Sequence, residues 1–390
     1  MPNSTVVAAD ALRLESTTKS LPPQPNIRPD IQRIITELQS AGLCLGLETA
    51  GASGRKGGAG PSDHKAVTLG ETTVMVPVYT DGAAQSPYGV TCDRETGQSY
   101  LTRDGEVVLP LEFPNQPKFY GLQTADGIPY SKIALLHSKD VLATTVLQTC
   151  IRYDNRKTAC QFCAIGQSLE EGRTIARKTP EQLAEVAEAA VRLDGISNII
   201  MTTGTPNTTD RGAAYLTECA RAMRSRVSVP IQAQCEPPDD FSWFEKMRAA
   251  GIDSLGMHLE AADPDVRAKI MPGKAKVPVS YYFEAFKAAV KVFGRGQVST
   301  YLLAGLGDSK ETLLSISEKL IEVGVYPFVV PFVPIGGTPL AHYSPPSSDF
   351  MFELYQAVGE MLKRGNLVSS EMKAGCAKCG ACSALSNFEK

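Results

Sequence analysis

Between Val141 and Arg364, short β-rich runs alternate with longer stretches of helical periodicity. The runs are Val141 to Leu147, Asn198 to Thr203, Ile231 to Cys235, Ser254 to Glu260, Val298 to Ala304 and Tyr326 to Phe332. They are too apolar for a half-solvated sheet, so they predict parallel strands covered by helices on the outside. Six such units predict an α/β fold, a partial (β/α)6 barrel of TIM type, with chemistry at the carboxyl ends of the strands. The helix from Pro180 to Leu193 is the best marked. Thr179 caps it, Pro180 fills its first position, and Leu183, Val186, Ala187, Ala190 and Val191 form one apolar stripe.

The chain before Val141 follows another pattern. Ile31 to Leu43 reads as one amphipathic helix, a Gly- and Ser-rich stretch follows, and several short strands with turns continue to about Tyr130. The division expected is an N-terminal α+β domain over 1–140, the barrel over 141–348, and a final helix (Asp349 to Arg364) with a Cys-rich C-terminal tail over 349–390. The last 26 residues are rich in Gly, Ala and Cys and need a metal or the barrel to order them.

With 43% hydrophobic residues in 390, a large core is within reach. The charge of −3 demotes nucleic acid as a partner. No apolar run approaches the roughly 18 residues that cross a bilayer, and no basic-then-apolar leader opens the chain, so a soluble, cytoplasmic protein is expected.

Cysteine changes the picture most. Ten are too few for a disulfide scaffold, and six form two groups more than 200 residues apart: Cys150, Cys160 and Cys163, then Cys376, Cys379 and Cys382. Thiolates at a two-residue gap converge on one metal centre. The first group follows the first barrel strand directly. Three thiolates fill three corners of a 4Fe–4S cube and leave one iron open; structural zinc would want a fourth ligand, for which Asp154 and His137 are the nearest candidates. Cys44, Cys92, Cys219 and Cys235 read as small buried hydrophobes, Cys235 with the least security.

On these residues the chain resembles the radical S-adenosylmethionine (SAM) superfamily, in which three cysteines after the first barrel strand hold a cluster whose open iron is chelated by SAM. The family's usual C-x3-C-x2-C is stretched here to C-x9-C-x2-C, with the aromatic before the last cysteine kept as Phe162. The resemblance implies further cofactor contacts: Thr203 and Gly204 in the Gly-rich turn after the second strand, His258 and Glu260 on the fourth, and Gly305, with Glu311 at a related position, after the fifth. VPIGGTPL (Val333 to Leu340) is similar to a segment of biotin-synthase-like members. The cysteine spacing with GMHLEAADP and the tail looks like an uncharacterised subfamily encoded in nitrilase-associated gene clusters. The elongator acetyltransferase subunit shares the spacing but carries an acetyltransferase domain after the barrel and a basic surface for tRNA, neither of which is expected here, so that reading is set behind the others.

The tail's C-x2-C-x2-C matches the first three ligands of a bacterial ferredoxin run, with Ser386 where the fourth cysteine would stand. A second, auxiliary 4Fe–4S cluster is the preferred reading, with zinc or a redox-active tail as alternatives. Its fourth ligand is left to Ser386, a distant cysteine such as Cys235, or substrate, and an extended linker of about a dozen residues can span roughly 30 Å to the strand-end face. Arg55 to Gly60, with Asp63 and His64, is a candidate backbone nest for an anion or a plain solvated loop.

The resemblance as a whole implies an oxygen-sensitive enzyme that cleaves SAM reductively and abstracts hydrogen from a small-molecule substrate, served by an electron donor such as flavodoxin or ferredoxin. Sulfur insertion of the biotin- or lipoyl-synthase type and a non-catalytic two-cluster electron-transfer protein are the alternatives.

Overall fold

The computed structural model describes residues 30–46 and 64–389. Its centre is a seven-stranded sheet ordered β12-β11-β10-β9-β8-β7-β6. The strands are β6 (Leu135–His137), β7 (Val141–Thr145), β8 (Asn198–Thr202), β9 (Ile231–Gln234), β10 (Ser254–Gly256), β11 (Val298–Ala304) and β12 (Val325–Pro331). All neighbours from β7 to β12 run parallel, as their apolar character requires; β6 pairs antiparallel with β7 and caps the edge. Residues of β7 and β12 line the same cavity, so the mixed sheet is curled into a half-barrel.

Helices follow the strands. Pro180–Asp194 carries the expected cap: Thr179 Oγ1 accepts from the Gln182 N–H while Gln182 Oε1 accepts from the Thr179 N–H, and Gly195 ends the helix at φ 66°. Its apolar stripe packs inward, with Val186, Ala187 and Ala190 fully buried.

One strand is shorter than the sequence suggests. β10 stops at Gly256, because the next polar groups are diverted from the ladder: Leu259 N–H donates to Thr300 Oγ1 and Tyr301 N–H donates to His258 Nδ1. Pairing resumes at a single bridge, Glu260 with Leu302, where Glu260 sits at φ 67°.

Before the half-barrel lie a hairpin of β1 (His64–Leu69) and β2 (Thr72–Pro77), a small sheet of β3 (Tyr88–Cys92), β4 (Ser99–Arg103) and β5 (Glu106–Leu111), and the helix Ile31–Ala41. That helix packs on Ser348–Arg364, where Arg33 pairs with Asp349 at 2.5 Å and stacks over Phe352. The candidate nest from Arg55 to Asp63 lies outside the described residues.

The tail is packed rather than trailing. Lys373 N–H donates to Gln297 Oε1, Gly375 N–H to Asn198 Oδ1 and Cys376 N–H to Gln232 Oε1. Asn198 opens β8, Gln232 is second in β9 and Gln297 precedes β11, so the tail enters the curl from the amino ends of the strands. This corrects the expectation of a linker reaching for the carboxyl ends. The cause is a polar floor of buried amides whose unmet hydrogen bonds the tail backbone completes.

Candidate active site

The curl encloses a cavity of about 360 Å³. Cys150, Cys160 and Cys163 line it from the loop after β7, at the carboxyl ends of the strands, and Cys376 and Cys382 line it from the tail. The two cysteine groups, distant in sequence, meet in one space. Cys379 is outside the lining and packs by Ala66, Met75 and Ala381.

The cysteine loop is held tightly. A Cβ on Gly204 would collide with the Thr149 carbonyl, so the turn after β8 presses against the residue before Cys150. Arg152 makes a bidentate pair with Glu236, Nε to Oε1 at 2.6 Å and Nη2 to Oε2 at 2.7 Å, and Thr205 donates to the same carboxylate at 2.6 Å. Burial alone would raise the Glu236 pKa, but the Arg152 hydrogen bonds and the nearby Lys274 charge hold it below the usual range. Lys274 pairs with Glu260 at 2.9 Å, both largely buried. That carboxylate holds the ammonium above its ordinary pKa against the opposing effect of burial.

His258 is fixed in one neutral tautomer. The Tyr301 backbone N–H points at Nδ1, so Nε2 carries the proton and donates to Gln234 Oε1 at 3.0 Å. Burial, helped by Lys274, pushes its pKa down to about 3.

Two of the tail thiols have a side-chain partner. Gln234 Nε2 donates to Cys376 Sγ at 3.0 Å, and His137 Nε2 lies 3.4 Å from Cys382 Sγ. Burial pushes the Cys163 and Cys379 thiols up to about 12 and Cys160 well above its usual value, so their thiolate forms require a cationic partner. Among the described residues no three His, Cys, Asp or Glu side chains come together tightly enough for one metal ion. A four-iron cube spreads its thiolates wider than a single ion does, and five of the six clustered cysteines line this one cavity.

Of the residues expected at the site, Phe162, Thr203, Gly204, His258 and Glu260 line the cavity. Gly305 does not; it turns at φ 104° against Pro346 and Phe332, and Glu311 is exposed in the first turn of Lys310–Glu322. His258 and Glu260 arrive by irregular backbone instead of strand alternation. Among the leftover cysteines Cys219 is buried as expected, Cys235 lines the cavity, and Cys92 is exposed, correcting its reading as a core residue. Arg152, Glu236, Lys274 and Tyr301 also line the cavity without having been marked by the sequence, and His137, a candidate fourth ligand for the first group, lines it beside the tail instead. The one local signal was Gln232 and Gln234, two amides on one face of an apolar strand.

Residues 155–320 match the family described as the Radical SAM superfamily. Among curated proteins, bacteriochlorophyllide c C-7(1)-hydroxylase of Chlorobaculum limnaeum is 28% identical over 258 residues, 61% of this chain and 63% of that protein. The chain therefore spans less than two thirds of this relative's length. Among solved structures, methylornithine synthase (PylB) is 17% identical with a TM-score of 0.47, over 63% of this chain and 69% of the other. A radical SAM methyltransferase from Sphaerobacter thermophilus is 15% identical with a TM-score of 0.46, over 71% and 75%.

Proposed function

We propose that this chain, a member of the radical SAM superfamily through residues 155–320, holds a 4Fe–4S cluster on Cys150, Cys160 and Cys163 and uses it for hydrogen abstraction from a small-molecule substrate. When bound, such a cluster supplies one electron to SAM, which splits into methionine and a 5′-deoxyadenosyl radical able to take hydrogen from carbon. The observation that carries the reading is the placement of all three thiols on one buried cavity at the carboxyl ends of the parallel strands. A relative named as a C-7(1)-hydroxylase is in keeping with chemistry at carbon.

The chain's own residues supply binding, orientation and water exclusion. Phe162 lines the cavity just before the last cysteine in sequence, Thr203 and Gly204 offer the turn after β8, and the Glu260–Lys274 pair and neutral His258 present fixed polar groups to SAM or substrate. Arg152 and Glu236 brace the cysteine loop. Gln39, His64 and Met75, from the region assigned to a domain over 1–140, also line the cavity, and exclusion of water protects radical chemistry.

The tail cysteines are assigned a second, auxiliary 4Fe–4S cluster, supported by the polar partners of Cys376 and Cys382 and by the position of these two thiols on the same cavity. Ser386 does not line that cavity; Cys235 and His137 do. A flavodoxin or ferredoxin is the fitting class of electron donor. Anaerobic turnover with deuterated candidate metabolites tests the function: deuterium should enter 5′-deoxyadenosine, and intact SAM under strong reductant contradicts it.

A further inference from the structure

A second cavity, of about 480 Å³, adjoins the first. The two share His64, Met75, His137, Ala143, Thr144 and Thr145. The second is unlike the first in charge. Lys65 from β1, Lys132 from the turn before β6, and Arg173 and Lys178 from the segment leading to Pro180–Asp194 all line it, with no carboxylate among its described lining residues.

Two of these cations are poorly compensated. Lys65 is 4% exposed, and among the described residues its ammonium has no hydrogen-bond partner; the Phe113 ring lies 4.9 Å away. One terminal nitrogen of Arg173 is likewise buried without a partner, although its other arm pairs with Glu171. Lys178, 2% exposed, donates to the Thr145 carbonyl in the wall between the two cavities. Buried ammonium groups are ordinarily paired, since the charged form loses its hydration. Burial here pulls the Lys65 amine down to about 8, close to neutral conditions, where an arriving negative charge would restore the proton.

We propose that this basic chamber binds the anionic head, a carboxylate or phosphate, of the substrate and leaves the rest of the molecule to pass the wall at His64, His137 and Thr144 into the cysteine cavity. The anion's oxygens give Lys65 Nζ and the free Arg173 nitrogen the acceptors they lack. Such an anchor fixes orientation by remote contacts and keeps charge away from the carbon that reacts. The direction of the substrate's other end rests on the radical SAM reading; the anion site itself does not.

The test uses the full chain without iron or SAM. Inorganic phosphate and, separately, succinate are titrated into wild type, Lys65→Met and the surface control Lys363→Met, at constant ionic strength in chloride, with heat and melting temperature as readouts. Saturable binding of at least one anion is expected in wild type and the control, weakened at least tenfold in Lys65→Met. Replacing a buried ammonium by an apolar chain of similar length favours a folded variant, and its chloride-only melt checks this. Phosphate alone saturating marks a phosphorylated substrate, succinate alone a carboxylate. Reductive ¹³C-methylation gives a second readout, because the Lys65 resonance should move on anion addition. No saturable binding of either anion to wild type, or equal binding by Lys65→Met, overturns the proposal. Failure here leaves the radical reading standing, and failure of SAM cleavage leaves the anion site standing.

Discussion

His137 Nε2 and Cys382 Sγ lie 3.4 Å apart across 245 residues of sequence. The contact ties the antiparallel edge strand to the last cysteine of the tail, inside the wall shared by the two cavities. Hydrogen bonds to cluster sulfurs raise reduction potential. His137→Ala should therefore keep the tail iron and lower that centre's potential by about 40 mV, the one-electron equivalent of about 1 kcal/mol. A redox titration followed by electron paramagnetic resonance reads it, and an unchanged potential removes His137 from the tail centre.

Glu260 and Lys274 act as a pair, both largely buried. Glu260→Gln leaves an uncompensated ammonium and should cost about 3–5 kcal/mol in stability, besides weakening SAM binding. The double variant Glu260→Gln/Lys274→Met should recover much of the stability while SAM affinity stays low. Denaturant unfolding and SAM titration separate the two effects; a double variant as unstable as the single one denies the coupling.

His258 gives a pH signature. Its folded pKa of about 3 lies below the unfolded value of about 6.5, so its stabilising contribution is complete above pH 6.5 and is lost progressively as pH falls towards 3. Between pH 6 and 4 this one group should remove about 1.4 kcal/mol per pH unit. His258→Gln should flatten that slope in urea unfolding curves. A His258 imidazole resonance that titrates near 6.5 in the folded protein contradicts the buried neutral state.

Truncation after Gly375 would remove more than the three proposed cluster ligands. Leu385 and Phe388 are buried, and Glu389 accepts from the Tyr326 hydroxyl at 2.9 Å. Each of these apolar side chains contributes about 1.5–3 kcal/mol, so the truncated chain should melt far lower than Cys376→Ala/Cys379→Ala/Cys382→Ala. Equal melting of the two variants would show the tail's packing to be of no consequence.

The strands and their order were legible because parallel strands buried on both faces leave continuous apolar runs, as in β11 and β12. The capped helix at Thr179 was legible for a local reason too. β6 was not, since three residues carry no period. The tail's path was missed because the amides it joins, Asn198, Gln232 and Gln297, lie 76 to 177 residues away. Each looks by itself like an isolated polar residue in an apolar strand or turn. The cysteines marked the candidate site by spacing, whereas Arg152, Glu236 and Lys274 became visible only when folding paired them.

The central claim is the role of the first three cysteines, and one comparison tests it most directly. Wild type and Cys150→Ala/Cys160→Ala/Cys163→Ala are reconstituted anaerobically, iron is counted, and 5′-deoxyadenosine is measured after adding SAM and a strong reductant. Wild type should hold about eight irons if both cysteine groups carry 4Fe–4S clusters, and the triple variant roughly half. The variant should form no 5′-deoxyadenosine. Wild-type SAM cleavage by the triple variant would contradict the account.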